Sequence, residues 1–218
     1  MIALAKRSSS EALVDSLVAD LAPVQVRCAG RDGMVVLALA AVELVLILSM
    51  ARPRPDLLAA MNSTMFWWKM ASCFSLALSG GTAVVLALDP AGAPRRWWWA
   101  LASVALVAVA VVFGNSMEMP HGLAARLQWH EGVKCAALTL VYALPIALML
   151  TMLASRAAPT KPRLVAWAAG FGSAGWGAFA FAWSCWHDDP LYVVVWYGGA
   201  VLSCTVLARL VLFRWIKW

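Results

Sequence analysis

Long apolar runs alternate with short polar breaks along most of the chain. Six such runs, at 34–50, 65–88, 97–113, 133–153, 164–186 and 191–213, each approach the roughly 17–25 residues that a helix needs to cross a bilayer core. The breaks between them are turn formers: Arg52-Pro53-Arg54-Pro55-Asp56, Asp89-Pro90-Ala91-Gly92-Ala93-Pro94, Pro120-His121-Gly122, Pro159-Thr160-Lys161-Pro162 and His187-Asp188-Asp189-Pro190. The runs lack the alternation of a membrane barrel, so the pattern predicts an all-α, polytopic integral membrane bundle of six transmembrane helices.

Residues 1–32 follow a different rule. Ser8 stands three residues before Glu11, in the manner of a capping box, and Leu13, Val14, Leu17, Val18 and Leu21 then recur at helical spacing. Glu11, Asp15 and Asp20 stay off that stripe, and Pro23 ends it. A short amphipathic helix is expected in a segment at 1–32, ahead of a transmembrane domain at 33–218. Its acidic polar face suits an anionic lipid surface poorly, so the stripe is expected to pack on the protein's own loops or on a soluble partner. A segment this short has no core of its own and orders fully only against something else.

Composition sharpens the class. Apolar residues make up 63% and charged residues 13%, against about 45–50% and about 25% in soluble globular proteins, which excludes an ordinary soluble enzyme, a disordered chain and a coiled coil. Many of the 13 Trp residues flank the runs, as in Phe66-Trp67-Trp68, Trp97-Trp98-Trp99 and Trp215-Ile216-Lys217-Trp218, where an interfacial belt belongs. The net charge of +6 is scattered over the connections with no basic stripe, which argues against direct nucleic-acid binding. Lys6 and Arg7 lead into a polar segment, not into the short apolar region of a secretory signal. With the N-terminus inside, twelve of the 17 Lys and Arg fall on the cytoplasmic side, and only Arg52, Arg54, Lys69, Arg126 and Lys134 fall outside. That asymmetry predicts both termini in the cytoplasm.

Of the five cysteines, Cys28 is cytoplasmic, and Cys73 and Cys204 fall inside the second and sixth runs. Cys135 begins the fourth run and Cys185 ends the fifth, both at the outer face, on spans whose short connection makes them antiparallel neighbours. Three readings stay open for them: a redox-active or structural disulfide, soft-metal binding, or inert interfacial thiols. With His130 and His187 they form a donor set of the kind that takes Zn, Cd or Cu(I), and Met117, Met119 and His121 share that outer region. Lys134 and His187 would favour thiolate; Glu131, Asp188 and Asp189 would oppose it. No Cys-x-x-Cys is present. Glu43 is the one carboxylate deep in a run, and reads either as a hydrogen-bonded carboxyl between helices or as part of an ion path. Glycines 170, 172, 175 and 177 form a small-residue face for close helix packing. Phosphate loops, His-Glu-x-x-His and Gly-x-Ser-x-Gly are absent, so no enzymatic activity and no required cofactor are expected.

Several pieces, in order, carry a resemblance: Leu13-Val14-Asp15-Ser16-Leu17-Val18-Ala19-Asp20-Leu21-Ala22-Pro23-Val24, Arg52-Pro53-Arg54-Pro55-Asp56-Leu57, Cys135, Leu144-Pro145, Arg156-Ala157-Ala158-Pro159-Thr160, Cys185 with Asp188-Asp189-Pro190, Trp196-Tyr197 and Arg214-Trp215. Across nearly the whole chain they resemble the NrsF family of six-span bacterial anti-sigma factors. The resemblance implies an inner-membrane protein that sequesters an extracytoplasmic-function sigma factor through its cytoplasmic N-terminal portion. It also implies that Cys135 and Cys185 sense heavy-metal or oxidative stress, with the stripe from Leu13 to Leu21 as the partner-binding surface. The last span departs from the family in carrying Thr205-Val206-Leu207-Ala208-Arg209 where more glycine is expected. A small metal or ion transporter using Glu43 and the outer His and Met residues is the alternative, and a membrane thiol oxidoreductase a third class.

Overall fold

The computed structural model describes residues 2–19, 28–50, 53–88, 122–157 and 161–216, together with 111 and 159, and among these there is no strand. The elements are α1 (Ile2–Ala19), α2 (Ala29–Met50), α3 (Leu57–Ala60), α4 (Thr64–Ala87), α5 (Leu123–Leu127), α6 (Trp129–Ala157), α7 (Pro162–Ala182), α8 (Pro190–Tyr192), a π-helical segment (Val193–Tyr197) and α9 (Gly198–Ile216). Five described stretches are long and apolar enough to cross a membrane: α2, α4, 124–157, α7 and 190–212. The expected run at 97–113 lies outside the described residues except for Val111.

The start of the N-terminal helix differs from the expected one. Helix α1 begins at Ile2 and passes through Ser8 and Glu11, so no cap sits there, and α2 begins at Ala29, which places the division drawn at 32 inside a helix. Leu21 lies outside the described residues.

Helix α7 is the centre of the bundle, packed against α4, α6 and α9. Its glycines explain how three neighbours fit. A Cβ on Gly172 would lie 2.7 Å from the Gly81 nitrogen, one on Gly175 would lie 2.5 Å from the Ala77 nitrogen, and one on Gly177 would run into the Thr139 carbonyl. These are backbone-to-backbone approaches, the geometry that small residues permit in membrane helices. The last span needs no glycine of its own at Thr205, because Gly170 of α7 supplies the gap, 2.6 Å from the Thr205 Cα to a would-be Cβ.

Two buried clusters mark the ends of the bundle. One gathers Val84, Leu88, Leu150, Ala154, Val165 and Leu212. The other gathers Phe66, Cys73, Cys135, Phe181, Cys185, Tyr192 and Tyr197. Leu88 belongs to the first, whereas Arg126 pairs with Asp189 beside the second, so the described chain leaves one end of the bundle and resumes at the other.

Candidate functional site

The second cluster is organised by a short loop. Helix α7 stops at Ala182, and residues 183–189 cross to α8, where the Asp189 carboxylate caps the new helix by accepting from the Leu191 N–H at 2.8 Å and Pro190 takes the first turn. Arg126 of α5 grips the same carboxylate through two bonds of 2.7 Å. Beyond α8, the π segment follows an i→i+5 pattern, which keeps residues five apart on one face where an α-helix would splay them. Tyr192 and Tyr197 are thereby both buried against the loop.

Cations hold the loop from the other side. Lys69 is completely buried on α4, and its ammonium donates to the carbonyls of Cys185 and His187, each at 3.1 Å, and to the Asp188 carboxylate at 2.5 Å. Arg54 donates to Asp188 at 2.8 Å, to the carbonyls of Cys185 and Trp186 at 3.3 Å, and to both oxygens of Asp56 at 2.8 Å. The hydrogen bonds from Arg54 hold the Asp56 carboxyl down at about 2, against the small opposing effect of burial.

At the centre, Cys135 on α6 and Cys185 in the loop face each other with their sulfurs 3.8 Å apart. Both are free thiols, 6% and 3% exposed, so the pair expected at an accessible interface is in fact enclosed. Burial comes from Tyr192, Tyr197 and Phe181 in the same cluster. The Tyr192 hydroxyl donates to the Cys135 sulfur at 3.0 Å, and the two thiols share a hydrogen bond across the pair. The Cys185 thiol is thereby pushed below the ordinary range, first by the hydrogen bond from Cys135, against the opposing effect of burial, then by His187 and the charge of Lys69. Closing 3.8 Å to the roughly 2.05 Å of a disulfide requires a relative movement of about 1.8 Å.

The other sequence candidates separate. His187 stacks on Tyr192, with centroids 4.3 Å apart, and its Nε2 meets Gln128 Oε1 at 2.9 Å. His130 is exposed, and Lys134 spends its charge on Glu131 at 3.1 Å. Among the described residues no three His, Cys, Asp or Glu side chains gather as a metal-holding group. Cys28 is exposed, Cys204 touches Ser173 at 3.9 Å, and Cys73 shares the buried cluster of the pair. Glu43 is buried and accepts from Trp176 Nε1 at 3.0 Å, a carboxyl held between α2 and α7. Leu13, Val14, Leu17 and Val18 stand 56–61% exposed on α1.

Sequence reasoning missed Gln128 and Tyr192, named Tyr197 only within the resemblance, placed Arg54 and Lys69 only as outer charges, and gave Asp188 only as a charge opposing thiolate. Lys69 alone carried a readable sign, since a cation inside an apolar run is a functional candidate by default.

The family model described as NrsF, negative regulator of sigma F, matches residues 17–218. The protein named anti-sigma-F factor NrsF from Caulobacter vibrioides (strain NA1000 / CB15N) is 32% identical across 93% of this chain and 98% of its own length. No solved structure matches.

Proposed function

The chain belongs to the NrsF family, and from that premise we propose that it is a membrane-bound anti-sigma factor, a non-enzymatic negative regulator that holds a sigma factor of the extracytoplasmic-function class. The bundle sits in the inner membrane with both termini in the cytoplasm, in keeping with the asymmetry of Lys and Arg along the sequence. The apolar stripe of α1 is the surface that holds the partner. The observation that carries this reading is that Leu13, Val14, Leu17 and Val18, four large side chains at helical spacing, are all more than half exposed. Such a stripe is the usual anchor pattern of a helix that docks in a groove.

The inducing event is oxidation of Cys135 and Cys185 at the far end of the bundle. Joining them draws α6 toward the loop that follows α7, and α7 is packed backbone to backbone on its neighbours, so the shift has little slack in which to dissipate. The four-donor metal reading with His130 has less support, because that ring is exposed. A transport path through Glu43 is disfavoured by the Trp176 hydrogen bond that occupies the carboxyl.

The test is retention of the sigma factor by the full chain extracted from membranes. The wild type should co-purify with it, and Leu17→Asp should lose it at least ten-fold while remaining in the membrane. Equal retention by Leu17→Asp and Val14→Asp would remove α1 as the docking element.

A further inference from the structure

Helix α2 is the least enclosed of the long apolar stretches described, burying only Ala40, Glu43 and Ile47. Between it and α4 lies a cleft of about 410 Å³, floored by Ile146 and Leu150 of α6 and by Gly172 and Trp176 of α7. Glycines make the room. Gly33 of α2 and Gly81 of α4 both line the cleft, and a Cβ on either would meet nothing within 4 Å. Ala40, Ile146 and Leu150 place it with the cluster of Val84 and Leu88, away from the thiols.

Shape and chemistry narrow what can enter. At about 1.5 Å per helical residue the α2 wall runs about 17 Å from Ala29 to Ala40, so the volume corresponds to a cross-section of about 24 Å². A helix with its side chains is about 10–12 Å across and needs about four times that section, so it can lie over the mouth but not inside. A single hydrocarbon chain fits. The polar groups of the lining are already committed: the Trp176 indole donates to Glu43 at 3.0 Å, and the Thr82 hydroxyl to the carbonyls of Leu78 and Ser79 at 2.6 and 3.1 Å. An apolar hollow of this kind stays dry and takes apolar guests. Leu37, Leu78 and Leu86 of the lining are each more than half exposed, so the cleft opens sideways. Arg31, between the lining residues Gly30 and Gly33, is exposed at the α2 end of the cleft and forms no ion pair among the described residues.

We propose that this cleft is a lipid site, holding one acyl chain of an anionic phospholipid of the cytoplasmic leaflet with the lipid phosphate at Arg31. The site rests on the reading above that the bundle lies in the membrane with its N-terminus inside, which puts Arg31 among the anionic headgroups of that leaflet. The chain gives α2 the apolar contact that α4 does not supply where the two helices stand apart.

The full chain is reconstituted into vesicles for a flotation assay, and in detergent it is titrated with dioleoyl phosphatidylglycerol or dioleoyl phosphatidylcholine and read by native mass spectrometry. The wild type should retain one phosphatidylglycerol at least ten-fold more tightly than phosphatidylcholine. Gly81→Leu, whose side chain grows into the open cleft, should weaken that lipid at least ten-fold without lowering the thermal midpoint in lipid-free detergent. Gly33→Leu, on the opposite wall, should do the same, and decides the matter if Gly81→Leu fails to fold. Arg31→Gln should bring the two lipids to equal affinity. Equal affinities in the wild type, or undiminished phosphatidylglycerol in both leucine variants, would overturn the site. So would a benzophenone attached at Gly81→Cys that cross-links in vesicles to residues 97–113 or to a second copy of the chain in place of phospholipid. A chain that does not float with vesicles would instead sink the membrane reading, whereas one that floats and fails the leucine test sinks the lipid site alone.

Discussion

Asp188 is the residue on which the electrostatics of the loop at 183–189 turn. It faces two cations with 0% and 4% side-chain exposure, Lys69 and Arg54, while Asp56 neutralises only the second, and from a side chain that is 52% exposed. Removing one partner from a buried ion group costs about 3–5 kcal/mol, because it strands charge away from water. Asp188→Asn should therefore lower the thermal midpoint of the detergent-solubilised protein markedly, and Asp56→Asn much less. The same comparison carries a pH dependence. Asp56 is held at about 2 when folded, so its contribution is fully present above roughly pH 4 and is lost as pH falls toward 2. The midpoint gap between wild type and Asp56→Asn should be constant above pH 5 and close below pH 3, and a gap that widens on acidification would contradict the pairing. None of this was legible in the sequence, where Arg54 and Lys69 stand 134 and 119 positions from Asp188. The meeting of Cys135 and Cys185 was legible, because a short connection makes α6 and α7 antiparallel neighbours with one cysteine near the same end of each. Their enclosure was not, since it depends on a tyrosine pair that a local pattern does not announce.

At the scale of elements, the glycine face of α7 was readable as a packing surface because small residues recur at helical spacing. Its partner face was not singled out, although Gly80 and Gly81 of α4 sit opposite it. The structure separates these two neighbours sharply. A Cβ on Gly80 would collide with the Gly172 backbone, whereas one on Gly81 meets nothing within 4 Å. Gly80→Ala should force α4 from α7 and lower the thermal midpoint or the membrane yield, and Gly81→Ala should leave both unchanged. Similar losses in both variants, measured side by side, would contradict the packing. The π segment at Val193–Tyr197 was invisible to periodicity, since Val-Val-Val-Trp-Tyr reads as a continuous apolar helix. The start of α6 was expected at 133 and lies at Trp129, because Trp196 donates to the Leu127 carbonyl at 2.7 Å and packs over Gly132, contacts from 60 or more residues away that extend the helix outward.

In the whole molecule, the buried thiol cluster and the exposed stripe of α1 are the two places that the proposed function joins. The apolar runs made the all-helical class, with stretches long enough to cross a membrane, readable from sequence, as each run rests on composition over some 20 residues and not on any long-range contact. What links the two places is the proposed regulatory step, and it is directly measurable. The full chain with its sigma factor is placed in nanodiscs and titrated with hydrogen peroxide, while the Cys135–Cys185 disulfide and the retained sigma factor are quantified in the same samples. Sigma factor should leave in proportion to the disulfide formed, and Cys185→Ser should retain it at every peroxide concentration. Full disulfide formation with the sigma factor still bound would contradict the account.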